Sequence, residues 1–281
     1  MNGVARERLN SEPIGADLVR LMLPLLFDDV SLRGRPTVLA LGSHSDDIEL
    51  GAGGTILHLA ERYPGLNVVW VVLSATPERA AEARESADVF LEGTASRRVI
   101  VEDFRDGFFP YEGGAIKEFF EWLKSQVEPD IVLTHRRADS HQDHRFVCEL
   151  TWNTFRDNMI LEYEIPKYDG ELSSPNLYLP IGREVAERKV RTILRCFETQ
   201  RSRHWFTEDL FMAMLRLRGM EANSPTQLAE AFTCRKLTLD VGATEARAQH
   251  SPMRDSTTRG HRPVHLVAGE RVAGERDDLT A

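Results

Sequence analysis

Apolar runs interleaved with helical patterns restrict this chain more than any other feature. Residues 36–42 (PTVLALG), 67–74 (NVVWVVLS) and 130–134 (DIVLT) are apolar almost throughout. Strands read this way when both faces of their sheet are covered. Between them lie a Gly-rich turn leading to a helix over about 54–62, and a helix opened by Pro77 and running to about Leu91, with proline in the tolerated first turn. A further strand is expected over 98–101. Residues 115–127 carry Ile116, Phe119, Phe120, Leu123 and Val127 on one helical face, and Pro129 ends that helix. Strand and helix alternate, which predicts a Rossmann-like α/β fold. Its sheet is mostly parallel, with helices on both faces.

The second half is less regular. Short strands are expected over 161–165 and 177–181, helices over 185–199 and 208–218, and a last strand over 236–239. From Val241 the apolar periodicity fades, and the pentapeptide VAGER occurs twice, at 267–271 and 272–276. Two copies of five residues do not make a solenoid. The expected organisation is one domain over 1–240 and a flexible tail over 241–281.

Bulk properties narrow the class. A length of 281 residues suits one large α/β domain with a small appendage. The net charge of -9 argues against a nucleic-acid partner, which needs a basic face. The 3 cysteines, Cys148, Cys196 and Cys234, are dispersed, so a disulfide framework is not expected and a reducing cytoplasm is. Residues 1–13 are polar, and Arg20 interrupts the apolar stretch that follows. Residues 16–27 therefore read as an amphipathic helix, not as a signal peptide or a membrane span.

Two segments carry chemistry. His44-Ser45-Asp46-Asp47-Ile48-Glu49-Leu50-Gly51 begins at the carboxyl end of the first strand, where open α/β sheets place their ligand sites. Thr134-His135-Arg136-Arg137-Ala138-Asp139-Ser140-His141-Gln142-Asp143-His144-Arg145 begins at the end of the fourth strand, on the same sheet edge, and leads into a helix over about 146–155. Together they offer His44, Asp47 and His144 as a set of metal ligands. Imidazole and carboxylate suit Zn²⁺, and three protein ligands leave a fourth position for a water that ionises near neutral pH. In such a site Asp46 serves as general base. His141 hydrogen-bonds the developing oxyanion or protonates the leaving amine, and Asp143 orients His141.

Each element also has a plainer reading. An Asp-Asp pair after a strand can be a helix N-cap with an acidic first turn. His141 and His144 can be surface histidines, and His44 a satisfied core histidine. Their joint occurrence at two strand ends of one sheet favours the site.

These residues resemble the LmbE-like, or PIG-L, family of zinc-dependent N-deacetylases. Its HPDD segment appears here as H-S-D-D (44–47) and its HxDH segment as H-Q-D-H (141–144). VLALG and IELGAGGTI flank the first, and DSHQDHR surrounds the second. The resemblance implies His44, Asp47 and His144 as zinc ligands, Asp46 as general base, His141 as oxyanion stabiliser or acid, and Asp143 as support. Ser45 replaces the family proline, which loosens the turn without removing a ligand. Arg79 and Glu82 match the family's R-x-x-E helix, either as an ion pair at the pocket rim or as a solvated i,i+3 pair.

The implied reaction is hydrolysis of an N-acetyl group on an amino sugar or glycoconjugate, with Zn²⁺ or Fe²⁺ as the ion. Arg136, Arg137 and Arg145 either meet an anionic part of the substrate or are solvated. Phe108, Phe109 and Tyr111 form an aromatic wall for a sugar ring or belong to the core. Rival readings are an amidase for a larger acyl or thiol conjugate, a catalytically silent sugar-binding member, and a nucleotide-binding module using Gly51, Gly53 and Gly54. The last lacks the full G-x-G-x-x-G pattern. The sequence leaves homo-oligomerisation open.

Overall fold

The structure, a computed structural model, describes residues 35–238. The expected helix over 16–27 and the expected tail with its VAGER pair lie outside them. The first half follows the predicted alternation: β1 (Thr37–Gly42), α1 (Asp47–Arg62), β2 (Asn67–Val72), α2 (Pro77–Phe90), β3 (Ser96–Val101), α3 (Gly113–Gln126), β4 (Ile131–His135) and α4 (Gln142–Thr154). The second half adds β5 (Met159–Tyr163), β6 (Leu177–Pro180), α5 (Arg183–Cys196), α6 (Glu208–Glu221) and β7 (Ala229–Thr233).

The sheet has 7 strands in the order β3-β2-β1-β4-β5-β7-β6. The first five run parallel, while β7 is antiparallel to both β5 and β6. Side chains alternate across it, as strand geometry requires. Val38 and Ala40 of β1 join the cluster that includes residues of α1, α2, α5 and α6, whereas Leu39 and Leu41 join residues of α3 and α4. Both faces are therefore covered, which is why the strand sequences lack polar alternation. The order reverses between β1 and β4, and that switch point opens the crevice in which such sheets bind ligands.

Two elements depart from expectation. α1 begins at Asp47, so Gly51, Gly53 and Gly54 lie inside the helix. A Cβ on Gly51 would stand 2.1 Å from the Tyr163 ring, and one on Gly53 would stand 2.6 Å from Phe90. The glycines cost helix propensity of about 1 kcal/mol each, and they let α1 lie directly on β5 and α2. With those backbones packed against side chains, the phosphate-cradle reading loses its glycine loop.

The last strand is Ala229–Thr233, while Lys236 and Leu237 lie outside any strand. Glu230 disguised it. This buried carboxylate accepts hydrogen bonds from Gly54 N (2.7 Å), Thr55 N (2.6 Å), Thr55 Oγ1 (2.6 Å) and Lys189 Nζ (2.6 Å). A fully partnered buried charge of this kind has no local sequence signal.

Candidate metal centre and active site

Three loops meet at the carboxyl edge of the sheet. The first leaves β1 through Ser43 to Asp46 and enters α1. Asp47 Oδ2 accepts the His44 amide at 2.7 Å, which fixes that turn. The second leaves β4 after His135 and enters α4, where the His141 side chain caps the helix by accepting Asp143 N at 3.2 Å. The third follows β3. Asp143 pins it by accepting Gly107 N (2.6 Å) and Phe109 N (3.1 Å). Gly107 has φ +78°, a left-handed conformation that favours glycine.

His44, Asp47 and His144 converge. His44 Nδ1 lies 3.2 Å from His144 Nε2 and 3.4 Å from Asp47 Oδ2, and His144 Nε2 lies 3.5 Å from the same oxygen. Zinc–ligand bonds of about 2.0–2.1 Å in a tetrahedron separate ligand atoms by roughly 3.3 Å. The three donor atoms thus fit a small divalent ion.

The outward nitrogens support the same assignment. His144 Nδ1 lies 3.2 Å from Asp139 Oδ2. Asp139 is in turn held by Lys167 Nζ (2.7 Å) and the His141 amide (2.8 Å). Burial and the neighbouring His135 push the His144 pKa down to about 3, so its ring is neutral. Nδ1 then carries the proton toward Asp139 and Nε2 presents its lone pair, a common arrangement for metal-binding histidines. His44 Nε2 faces Asp106 Oδ1 at 3.0 Å and Asp143 Oδ2 at 3.5 Å.

Charge at the centre favours a cation. Burial disfavours a charged His44, yet Asp106, Asp143 and Asp47 outweigh it and raise its pKa well above the usual value. Burial likewise opposes ionisation of Asp47, but the surrounding histidines, with His44 hydrogen-bonded to it, hold that carboxyl well below its ordinary range.

Asp46 is buried, and Arg79 donates to its Oδ1 at 2.8 Å. Desolvation raises its pKa against the pull of Arg79. The expected Arg79–Glu82 alternatives are both replaced, because α2 turns Arg79 toward Asp46. Glu82 instead accepts Thr199 N (2.8 Å) and Thr199 Oγ1 (2.7 Å).

His141 packs face to face with His144, centroids 4.6 Å apart, and edge-on to His44. Burial, followed by the charge of His44, lowers its pKa. Nδ1 accepts the Asp143 amide, so neutral His141 carries its proton on Nε2. The orienting group is therefore the Asp143 backbone. The Asp143 carboxylate is turned to the β3–α3 loop and His44, not to His141 as expected.

Two of the flanking arginines stitch loops together. Arg136 donates to Glu171 O (3.0 Å) and Oε2 (2.8 Å), and Arg145 to the Asp139 and Ser140 carbonyls at 2.7 and 2.6 Å. Arg137 is exposed. The aromatic trio divides: Phe109 is core, while Phe108 and Tyr111 are exposed.

Sequence reasoning missed four participants. His135 is fully buried and stacks on His144 at 3.9 Å, with Nε2 accepting Ser43 N at 2.9 Å. Asp139 and His135 stood in the segment already marked as dense in ligand-type residues, but spacing assigned them no role. Asp106 and Lys167 carried no signal. His135, Asp139 and His144 also cluster closely enough for a metal, but the Lys167 ammonium already neutralises Asp139.

The family model for PIG-L, GlcNAc-PI de-N-acetylase, matches residues 39–155, from β1 to just past α4. The uncharacterized deacetylase YaiS of Escherichia coli (strain K12) is 29% identical over 145 residues, 48% of this chain and 77% of that protein. Among solved structures, the N,N'-diacetylchitobiose deacetylase of Pyrococcus horikoshii superposes with a TM-score of 0.55 at 22% identity, over 73% of this chain and 85% of that one. GalB, the 4-carboxy-2-hydroxymuconate hydratase of Pseudomonas putida KT2440, does so with a TM-score of 0.60 at 18% identity, over 74% and 100%. At these identities the superpositions speak for the fold alone. The matched segment and its curated relative define a deacetylase-family domain. Residues 39–155 of the chain thus match the PIG-L, or LmbE-like, family.

Proposed function

We propose that this protein is a metal-dependent hydrolase that removes an N-acetyl group from an amino sugar or glycoconjugate. The observation that carries the reading is the convergence of His44 Nδ1, Asp47 Oδ2 and His144 Nε2 at tetrahedral spacing beside the buried Asp46. The His2Asp donor set suits Zn²⁺ and also accepts Fe²⁺. When bound, the ion supplies Lewis acidity and lowers the pKa of a water toward neutrality.

The chain's own residues supply the rest. Asp46, with Oδ1 held by Arg79, takes the proton of the attacking water on its other oxygen. His141 Nε2–H donates a hydrogen bond to the amide oxygen as negative charge develops there, and the proton taken up by Asp46 passes to the departing amine. Asp143 holds the β3–α3 loop against His44 and presents His141 through its amide. Hydrolysis breaks the amide C–N bond and yields acetate and a free amine. A GalB-like hydration would also need a base for water, but no observation of this site favours a carbon–carbon double bond over an amide.

The three cysteines are free thiols, which supports a reducing, cytoplasmic location. No helix among the described residues is long and apolar enough to cross a membrane.

The test is acetate release from a panel of N-acetylglucosamine derivatives, comparing zinc-loaded wild type with Asp46→Ala. Turnover that collapses in the variant while its metal content persists supports the reading. Equal turnover in both removes Asp46 from the mechanism.

A further inference from the structure

We infer that Lys167 and Glu171 of the β5–β6 loop form a clamp that positions the metal-binding loop between β4 and α4. Both act on His141 and His144 through intervening groups, so they are positioning residues. The inference rests on the metal-centre reading above. It adds a determinant of metal affinity from beyond residues 39–155, the segment that the family model matches.

The β5–β6 loop, residues 164–176, is shaped to present these two side chains. It turns at Lys167-Tyr168-Asp169-Gly170, where Gly170 takes φ +68°, a conformation that favours glycine. Tyr168 and Leu172 are sent to solvent, 69% and 64% exposed. Lys167 and Glu171 turn inward, with side chains only 13% and 15% exposed, and Lys167 Nζ meets Glu171 Oε1 at 2.7 Å. Charged side chains are rarely drawn out of water unless they are partnered.

Their further partners lie on the metal-binding loop. Lys167 Nζ donates to Asp139 Oδ1 at 2.7 Å. Glu171 Oε2 accepts Ser140 N (2.7 Å), Ser140 Oγ (2.9 Å) and Arg136 Nη2 (2.8 Å). Asp139 in turn accepts the His141 amide on Oδ1 and faces His144 Nδ1 with Oδ2. One ammonium and one carboxylate thus fix Arg136, Asp139 and Ser140, just ahead of His141. These residues belong to neither β4 nor α4, so no ladder or helix holds them in place. A histidine ligand is oriented by the group on its other nitrogen, and here that group is itself held from the β5–β6 loop.

A clamp and a simple charge effect predict different signs. Lys167 repels a cation at the centre and Glu171 attracts one. By charge alone, neutralising Lys167 should tighten zinc binding and neutralising Glu171 should weaken it. A clamp loses its hold on Asp139 or Ser140 in either case, so both changes should weaken binding.

The test is zinc affinity of the full chain, read at fixed pH by competition with a chromophoric chelator, with the native fraction followed by circular dichroism. Lys167→Met and Glu171→Gln should each weaken zinc about three- to tenfold, less than the loss expected for a group that touches the ligand itself. Lys167→Arg, which keeps the charge and can reach both carboxylates, should restore most of the affinity. Lys167→Met that binds zinc as tightly as wild type, or more tightly, overturns the clamp. So does Glu171→Gln with unchanged affinity, including a variant whose only defect is a lower thermal midpoint. Acetate release tests the reaction separately. Its absence in a wild type that shows the predicted pattern of affinities overturns the chemistry and leaves the clamp standing.

Discussion

The two loops that meet over the metal centre differ in almost every physical respect. The β1–α1 loop, Ser43 to Asp46, is buried or nearly so, and it carries His44 and Asp46 at the centre. The β3–α3 loop, residues 102–112, is largely exposed and touches the centre mainly through its backbone and Asp106. The first carries groups whose burial and mutual charge set the chemistry. The second offers aromatic and acidic surface that the chemistry does not need. On the proposed function, reaction type belongs to the buried loop, and the exposed one is free to vary, the usual division between scaffold and variable rim.

Substitutions that respect the division should separate the two functions. The largest effect is expected from removing the ion or a ligand. Chelation, or His144→Ala, should abolish turnover on every substrate, and added Zn²⁺ should restore the chelated wild type alone. Metal analysis and acetate release check this. Asp46→Asn comes next, with turnover reduced about 10²- to 10⁴-fold and metal content unchanged. Loss of metal in that variant would instead make Asp46 a structural part of the centre.

Asp139→Asn acts one shell out, through the His144 ring. It should weaken metal affinity about 10- to 100-fold, read by competition with a chromophoric chelator. An unchanged affinity would show that stacking on His135 alone is enough to orient His144.

The smallest effect on chemistry, with a clear one on stability, is expected at Gly51→Ala. The added methyl meets the Tyr163 ring at 2.1 Å, and overpacking of this kind costs about 1–3 kcal/mol. A lowered thermal midpoint with retained metal binding is the predicted pattern.

Much of the buried half was legible. The parallel strands announced themselves because both faces are covered, and His44, Asp46, Asp47, His141, Asp143 and His144 stood in two short segments at strand ends. What stayed hidden depends on distant partners. The glycines of α1 read as a turn, because their true reason is the close approach of Tyr163 and Phe90. β7 was misplaced because Glu230 looks exposed until Lys189 and the Gly54 and Thr55 amides are seen around it. Arg79 was paired with its sequence neighbour Glu82, whereas the fold turns it to Asp46. Asp139 was visible as a residue but not as a partner, since only the α4 geometry brings it to His144 Nδ1.

The central claim is that His44, Asp47 and His144 hold one divalent ion. Anomalous diffraction at the zinc edge, from crystals of the zinc-loaded full chain, tests it most directly. The account predicts a single strong peak about 2.0–2.1 Å from His44 Nδ1, His144 Nε2 and an Asp47 oxygen. A peak instead between His135 and Asp139, or none in crystals that bind zinc stoichiometrically in solution, would contradict it.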